Sequence, residues 1–181
     1  MSAAEKDFQN PSGITLNDIK KARERLQGDV IRTPLVQAAR LSLRTDIDLW
    51  LKLENLQHTG AFKARGALNK ILSLSDSQKT RGVIACSAGN HAQGLAFHAQ
   101  RHGIPSTIVM PKGTPFNKIQ RTEEFGGKVV LHGDSLPEAM AKTQELSEKH
   151  GYAFIHPYDD PDVVAGQGAL GLVMMEQNKD L

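Results

Sequence analysis

Val83-Ile84-Ala85-Cys86-Ser87-Ala88-Gly89-Asn90-His91-Ala92-Gln93-Gly94 is the stretch on which the fold turns. Four apolar residues form a short buried strand. Small and polar residues follow, and then Ala92, Leu95, Ala96 and Ala99 recur on one helical face as far as about His102. A strand running through a tight turn into a helix is half of a βαβ unit. The pattern repeats downstream. Residues 107–110 read as a strand, and Thr114 caps a helix with Phe116, Ile119 and Phe125 inward. Residues 128–131 read as a strand, and Ser135 caps a helix with Leu136, Ala139, Met140, Thr143 and Leu146 inward. Residues 152–155 form one more strand, and a last helix begins near Pro161.

Upstream, Thr15 with Asp18 three residues on starts a helix whose stripe is Leu16, Ile19, Ala22 and Leu26, and Gly28 stops it. Residues 48–53 alternate as a strand does. From Ala61 a helical face carries Ala64, Ala67, Leu68, Ile71 and Leu72. Short strands alternating with longer helices predict an α/β fold, an open parallel sheet with helices on both faces. Crossovers in such sheets are right-handed, and ligands sit beyond the carboxyl ends of the strands. There the unusual loops of this chain fall. Residues 163–175 are almost wholly apolar, which predicts burial on several sides, either in a chain cut short or against an oligomer partner.

Composition narrows the function. With 181 residues the chain suffices for a sizeable core, and 39% apolar and 23% charged residues are ordinary for a globular protein. A net charge of +2 and the lack of a basic cluster with aromatics argue against nucleic acid and against an anionic membrane. The single cysteine, Cys86, forbids an internal disulfide and fits the cytoplasm; it reads as a small core residue at a strand end. Residues 1–14 read as a flexible polar arm without the apolar run of a signal peptide.

Three segments carry chemical potential. In Thr59-Gly60-Ala61-Phe62-Lys63-Ala64-Arg65-Gly66 a lysine stands at the first turn of a helix. Helix-end amides and partial burial beside Phe62 both disfavour an ammonium there, so the amine tends to be neutral, as imine formation requires. A solvated surface lysine is the alternative. In residues 87–91 a turn opens a helix directly after a strand, so the amides of Ala88, Gly89, Asn90 and His91, with Ser87 and Asn90 as side-chain donors, suit an anion such as a carboxylate. A capped tight turn would look the same. Neither G-x-G-x-x-G nor G-x-x-x-x-G-K-[ST] occurs, which argues against a nucleotide-binding domain. The third segment, His156-Pro157-Tyr158-Asp159-Asp160-Pro161, lies on the ligand side of the sheet, and its acids suit a turn and a cap better than a metal. Gly166-Gln167-Gly168 inside a helix implies close packing or close approach of a ligand.

Taken in order, these segments resemble the serine/threonine dehydratase branch of the fold-type II pyridoxal-phosphate (PLP) enzymes, whose architecture is tryptophan synthase β-like. The likeness runs from about Thr15 onward. It includes Leu53-Glu54-Asn55, Phe62-Lys63, the residues from Ser87 to Gly94, Val109-Met110-Pro111, His132-Gly133-Asp134 and Ala165-Gly166-Gln167-Gly168. The resemblance implies PLP as cofactor, carried by Lys63 as a Schiff base, with Phe62 packed beside its ring and Asn90 bonded to its phenolic oxygen. It implies that Ser87 and the backbone of Ala88, Gly89, Asn90 and His91 hold the substrate carboxylate. The reaction implied is deamination of L-threonine, with L-serine second, to a 2-oxo acid and ammonia. Lys63 would remove the α-proton before the β-hydroxyl leaves. Racemases of this family carry a serine where this chain has Ala88, which favours elimination.

Two departures stand out. Ala61 replaces the serine usual before the Phe-Lys pair, and the glycine-rich loop that cradles the PLP phosphate in the family would follow beyond Leu181. The expectation is therefore a chain truncated at its C-terminus that binds PLP poorly alone, or a non-catalytic binding fragment. The expected division is residues 15–71 and 156–181 in a large PLP domain and residues 72–155 in a small α/β domain. The expected partners are a small amino acid and, in the full-length form, further copies of the same protein; no metal, nucleic acid or membrane is expected.

Overall fold

The computed structural model describes residues 13–181. Most of the flexible arm expected at residues 1–14 lies outside the described residues. Helix α1 (Leu16–Arg25) opens with a complete capping box: Thr15 Oγ1 accepts from the Asp18 N–H, and the Asp18 carboxylate accepts from the Thr15 N–H. It ends just before Gly28, which takes φ +92°. Strands β1 (Leu35–Gln37) and β2 (Trp50–Lys52) form an antiparallel ribbon around helix α2 (Ala39–Thr45), which buries none of its residues. A 3₁₀ turn at Glu54–Leu56 leads into α3 (Lys63–Ser73) and the short α4 (Asp76–Arg81).

Strands β3 (Val83–Cys86), β4 (Ser106–Met110), β5 (Lys128–Leu131) and β6 (Ala153–Phe154) alternate with helices α5 (Asn90–Arg101), α6 (Phe116–Glu124), α7 (Leu136–His150) and α8 (Pro161–Gln177). The four strands pair in parallel in the order β5-β4-β3-β6, with Val83 opposite both Ser106 and Ala153. The sheet is covered on both faces, as the alternating pattern predicts. On one face Val83, Ala85, Ile108 and Met110 pack with Ala92, Leu95 and Ala99 of α5 and Ala67 and Ile71 of α3. On the other, Ile84, Cys86 and Val109 pack with Ala139 and Met140 of α7. Successive strand residues point to opposite faces, so a strand covered on both faces is apolar at most of its positions. Strands β3 and β4 are buried throughout.

The structure departs from the sequence reading at four places. Thr114 does not cap α6: Pro115 holds the N-cap position, and the buried Thr114 hydroxyl has no partner among the described residues. With φ of Pro115 fixed by its ring, the helix starts one residue later than expected and leaves the hydroxyl out of register with the first-turn amides. The ribbon strand β1 and helix α2 are too short for a period to show. Helix α4 is likewise short, yet Ser75 and Gln78 form a full capping box that its Ser-x-x-Gln spelling announces. Burial of α8 is one-sided: Val163, Ala165, Gly166, Ala169 and Val173 face inward while Met175 is exposed.

Helices α3 and α8 cross at two glycines. A Cβ on Gly166 would sit 2.8 Å from Gly66 Cα and 2.9 Å from the Arg65 carbonyl oxygen. Close packing, rather than ligand approach, accounts for Gly166. No helix among the described residues is long and apolar enough to cross a membrane.

Candidate active site

Lys63 is the first residue of α3, and Phe62 occupies the N-cap position without making a side-chain cap. The Lys63 side chain is half-buried. Its ammonium nitrogen Nζ donates to the Pro157 carbonyl oxygen at 2.8 Å and lies 5.5 Å from the Phe62 ring centroid. Burial holds the amine below the usual lysine range, the direction expected from the sequence.

The turn 87–91 follows β3, and α5 begins at Asn90. No side chain caps this helix, so its first-turn N–H groups are left for an anion. Ser87 is held to the sheet by its N–H on the Val109 carbonyl at 3.2 Å, and its Oγ accepts from the Gly89 N–H at 3.3 Å. Asn90 is exposed, and its side-chain amide has no partner among the described residues. Ser87, Ala88 and Gly89 are half-buried.

Two features bring this turn to Lys63. Gly94 lies against the start of α3: a Cβ there would be 3.2 Å from the Ala64 nitrogen and 3.3 Å from the Lys63 carbonyl carbon. Only glycine lets the two helix beginnings approach so closely without displacement. His91, on the first turn of α5, is buried, and its Nε2 donates to the Ile155 carbonyl at 3.1 Å. Burial pushes its imidazole down to about 4; the bond to Ile155 opposes that, while the charges of Lys63 and His156 add to it.

Lys63, Phe62 and the Ser87–His91 turn are thus assembled at the carboxyl end of β3. Two groups were missed in the sequence. The Pro157 carbonyl is invisible because any residue carries one, although the loop 156–161 was placed on this side. Gln167 was noted only as part of a glycine-flanked motif; its Oε1 accepts from the Gly66 N–H at 3.2 Å and its Nε2 reaches the Lys63 carbonyl at 3.5 Å. The loop acids form a turn and a cap, as expected: Asp160 accepts from the Asp162 and Val163 amides at the start of α8. Cys86 lies in the core beneath α7, where burial pushes its thiol up.

Comparison with known proteins places the chain among relatives. The family model described as pyridoxal-phosphate dependent enzyme matches residues 26–181. The L-threonine ammonia-lyase of Thermotoga maritima is 50% identical over 168 residues, 93% of this chain and 42% of that protein. The catabolic L-threonine dehydratase of Escherichia coli is 46% identical, again over 93% of this chain, and 51% of its own length is covered. The crystal structure of serine racemase from Dictyostelium discoideum superposes with TM-score 0.87 at 35% identity, covering 93% of this chain and 55% of that one. The chain spans about half the length of the curated relatives it matches. The match of the family model over residues 26–181, with relatives 46–50% identical over 93% of the chain, identifies the chain as a member of the pyridoxal-phosphate dependent enzyme family.

Proposed function

We propose that this protein is a PLP-dependent ammonia-lyase that converts L-threonine, and more slowly L-serine, to a 2-oxo acid and ammonia. The observation that carries the reading is the half-buried Lys63 amine, shifted toward its neutral form, beside the uncapped first turn of α5. The residues fit the cofactor: a deprotonatable amine for its aldehyde, an unpartnered Asn90 amide for its phenolic oxygen, and the exposed Phe62 ring to pack beside it. When bound, PLP supplies an aldehyde that captures amines and a ring that accepts electron density from the α-carbon.

The chain's own residues do the rest. Lys63 Nζ provides the amine for attachment and, once released by substrate, takes the α-proton. The Ser87 hydroxyl and the N–H groups from Ala88 to His91 hold the substrate carboxylate against the positive end of α5. Water is lost from the β-carbon and regained on hydrolysis, so the balance is amino acid to 2-oxo acid plus ammonia.

Serine racemization is the second reading, favoured by the likeness to a serine racemase structure. The methyl of Ala88 has no proton to deliver to the opposite face of the substrate, which supports elimination instead. Borohydride reduction with PLP followed by peptide mass analysis should place the adduct on Lys63, and Lys63→Ala should lose it. Ammonia release from L-threonine in preference to D-serine formation from L-serine would favour the lyase; the reverse would favour the racemase. An adduct with no turnover would leave a ligand-binding role for the 181-residue chain.

We also infer that residues 15–71 and 156–181 form one lobe and residues 72–155 a second. The separate β1–β2 ribbon, and the cluster in which Leu26, Leu68 and Ala169 join the end of α1 to α3 and α8, support that division. The same reading takes the protein as cytoplasmic and homo-oligomeric. Its single buried thiol and the exposed Leu41, Leu43 and Ile47 side chains support it.

A further inference from the structure

His91 sits on the first turn of α5 with its ring almost wholly buried. Its Nε2 faces a carbonyl oxygen, that of Ile155, so Nε2 carries the proton and Nδ1 is a bare lone pair. Nδ1 has no partner among the described residues, so its unsatisfied burial sets a cost against keeping histidine here. Packing alone does not explain that cost, since an apolar residue would fill the space without it.

The bond to Ile155 has a consequence at Lys63. Ile155 ends the strand run from β6, and Pro157 stands two residues further on, with its carbonyl taking the Lys63 amine at 2.8 Å. The segment from Ile155 to Asp160, which contains Pro157, is pinned at each end. At its start His91 holds the Ile155 oxygen. At its end Asp160 Oδ2 pairs with Lys70 Nζ at 2.8 Å, and Asp160 Oδ1 caps α8. Lys70 lies on α3, two helical turns beyond Lys63. In between, His156 Nδ1 accepts from the Asp159 N–H at 2.7 Å and closes the turn, and the ring of Pro157 fixes its own φ.

We propose that His91 is a positioning residue for the Lys63 amine, acting through the Ile155–Pro157 segment and its Pro157 carbonyl. The inference rests on the reading of Lys63 as the aldehyde-reactive amine. A free lysine side chain samples many rotamers. One N–H given to a fixed carbonyl narrows the directions open to the amine lone pair relative to the α5 turn, where substrate would lie. The same segment ties the two halves of the candidate site together: α5 through His91 and α3 through Lys63 and Lys70.

The test uses the 181-residue chain with pyridoxal 5'-phosphate as the probe. The rate of borohydride-trapped addition at Lys63 is followed across pH, with the exposed lysines as internal controls. His91→Leu removes the donor and keeps apolar bulk; His91→Gln returns an N–H. If His91 positions the amine, His91→Leu slows addition at Lys63 by about tenfold while the other lysines are unchanged, and His91→Gln recovers most of the loss. A His91→Leu protein with native circular dichroism that reacts at Lys63 at the unmodified rate throughout would overturn the proposal.

Nitrogen NMR of the unmodified chain decides the matter if His91→Leu does not fold. The Nε2–H neutral tautomer is expected at neutral and mildly acidic pH. The Nδ1–H tautomer there would break the link to Ile155 and sink the inference. This measurement needs no cofactor. An unmodified chain that never adds PLP at Lys63 would therefore count against the Schiff-base reading and leave the His91 link to be judged separately.

Discussion

Lys63 and two histidines show how burial acts on single groups. His91 is pushed to about 4 and His98 to about 3, in both cases chiefly by burial; for His98 the charges of His58, His102 and Arg101 add to it. His98 lies against the Phe97 ring at 5.0 Å, and neither of its nitrogens has a hydrogen-bond partner among the described residues. The sign follows from proton binding. Below about pH 6.5 the unfolded chain protonates these rings and the folded one does not, so falling pH favours unfolding. Stability is thus fully present above about pH 6.5 and is lost progressively down to about pH 4 for His91 and about pH 3 for His98, by on the order of 3–5 kcal/mol per histidine. Thermal unfolding followed across that range should show it. His98→Leu should flatten the slope, and an unchanged slope would count against a neutral buried His98. Lys63→Ala, by contrast, should leave the thermal midpoint within a few degrees while abolishing the PLP adduct, because the lysine contributes one hydrogen bond to a carbonyl.

Among the elements, α3 and α8 are the pair whose fit the glycines set. Gly166→Val would drive a side chain into Asn69 Cβ, 2.7 Å from the first added carbon, and into the α3 backbone. The helices would have to separate, at a cost of about 2–4 kcal/mol. Denaturant unfolding should register that loss, and Lys63 reactivity should fall with it because α8 contributes Gln167 to the first turn of α3. At the other end of α8, Asp160→Ala removes two capping bonds and one of the two carboxylates paired with Lys70, and should cost about 1–2 kcal/mol. Helix starts of this kind are legible in sequence because they are local: Thr15, Ser75 and Ser135 each cap the helix that follows. Thr114 fails because the proline after it shifts the helix start, a one-residue effect that no period reveals.

At the scale of the molecule, Arg65 fastens α3 to the segment before it. Its guanidinium makes a two-pronged pair with Glu54, both bonds 2.8 Å, and also donates to the Ile31 carbonyl at 3.1 Å. Burial works to raise the Glu54 carboxyl, but the hydrogen bonds from Arg65 and Thr33 outweigh it and hold it below the usual range. Glu54→Leu would leave a buried guanidinium without its counter-charge and should destabilise the chain by about 3–5 kcal/mol, read as a shift of the denaturation midpoint. A loss below about 1 kcal/mol would show that water reaches Arg65.

The sequence by itself determined the alternating strands and helices of the parallel sheet. It also determined the lysine at a helix start and the small-residue turn after β3, since hydrophobic period, capping and turn chemistry act over a few neighbouring residues. Only the tertiary structure decided that the Lys63 amine rests on the Pro157 carbonyl, that His91 reaches Ile155, and that Gly66 and Gly166 meet. Those contacts join residues 64 to 100 positions apart through backbone atoms that every residue shares, so no residue type names the partner.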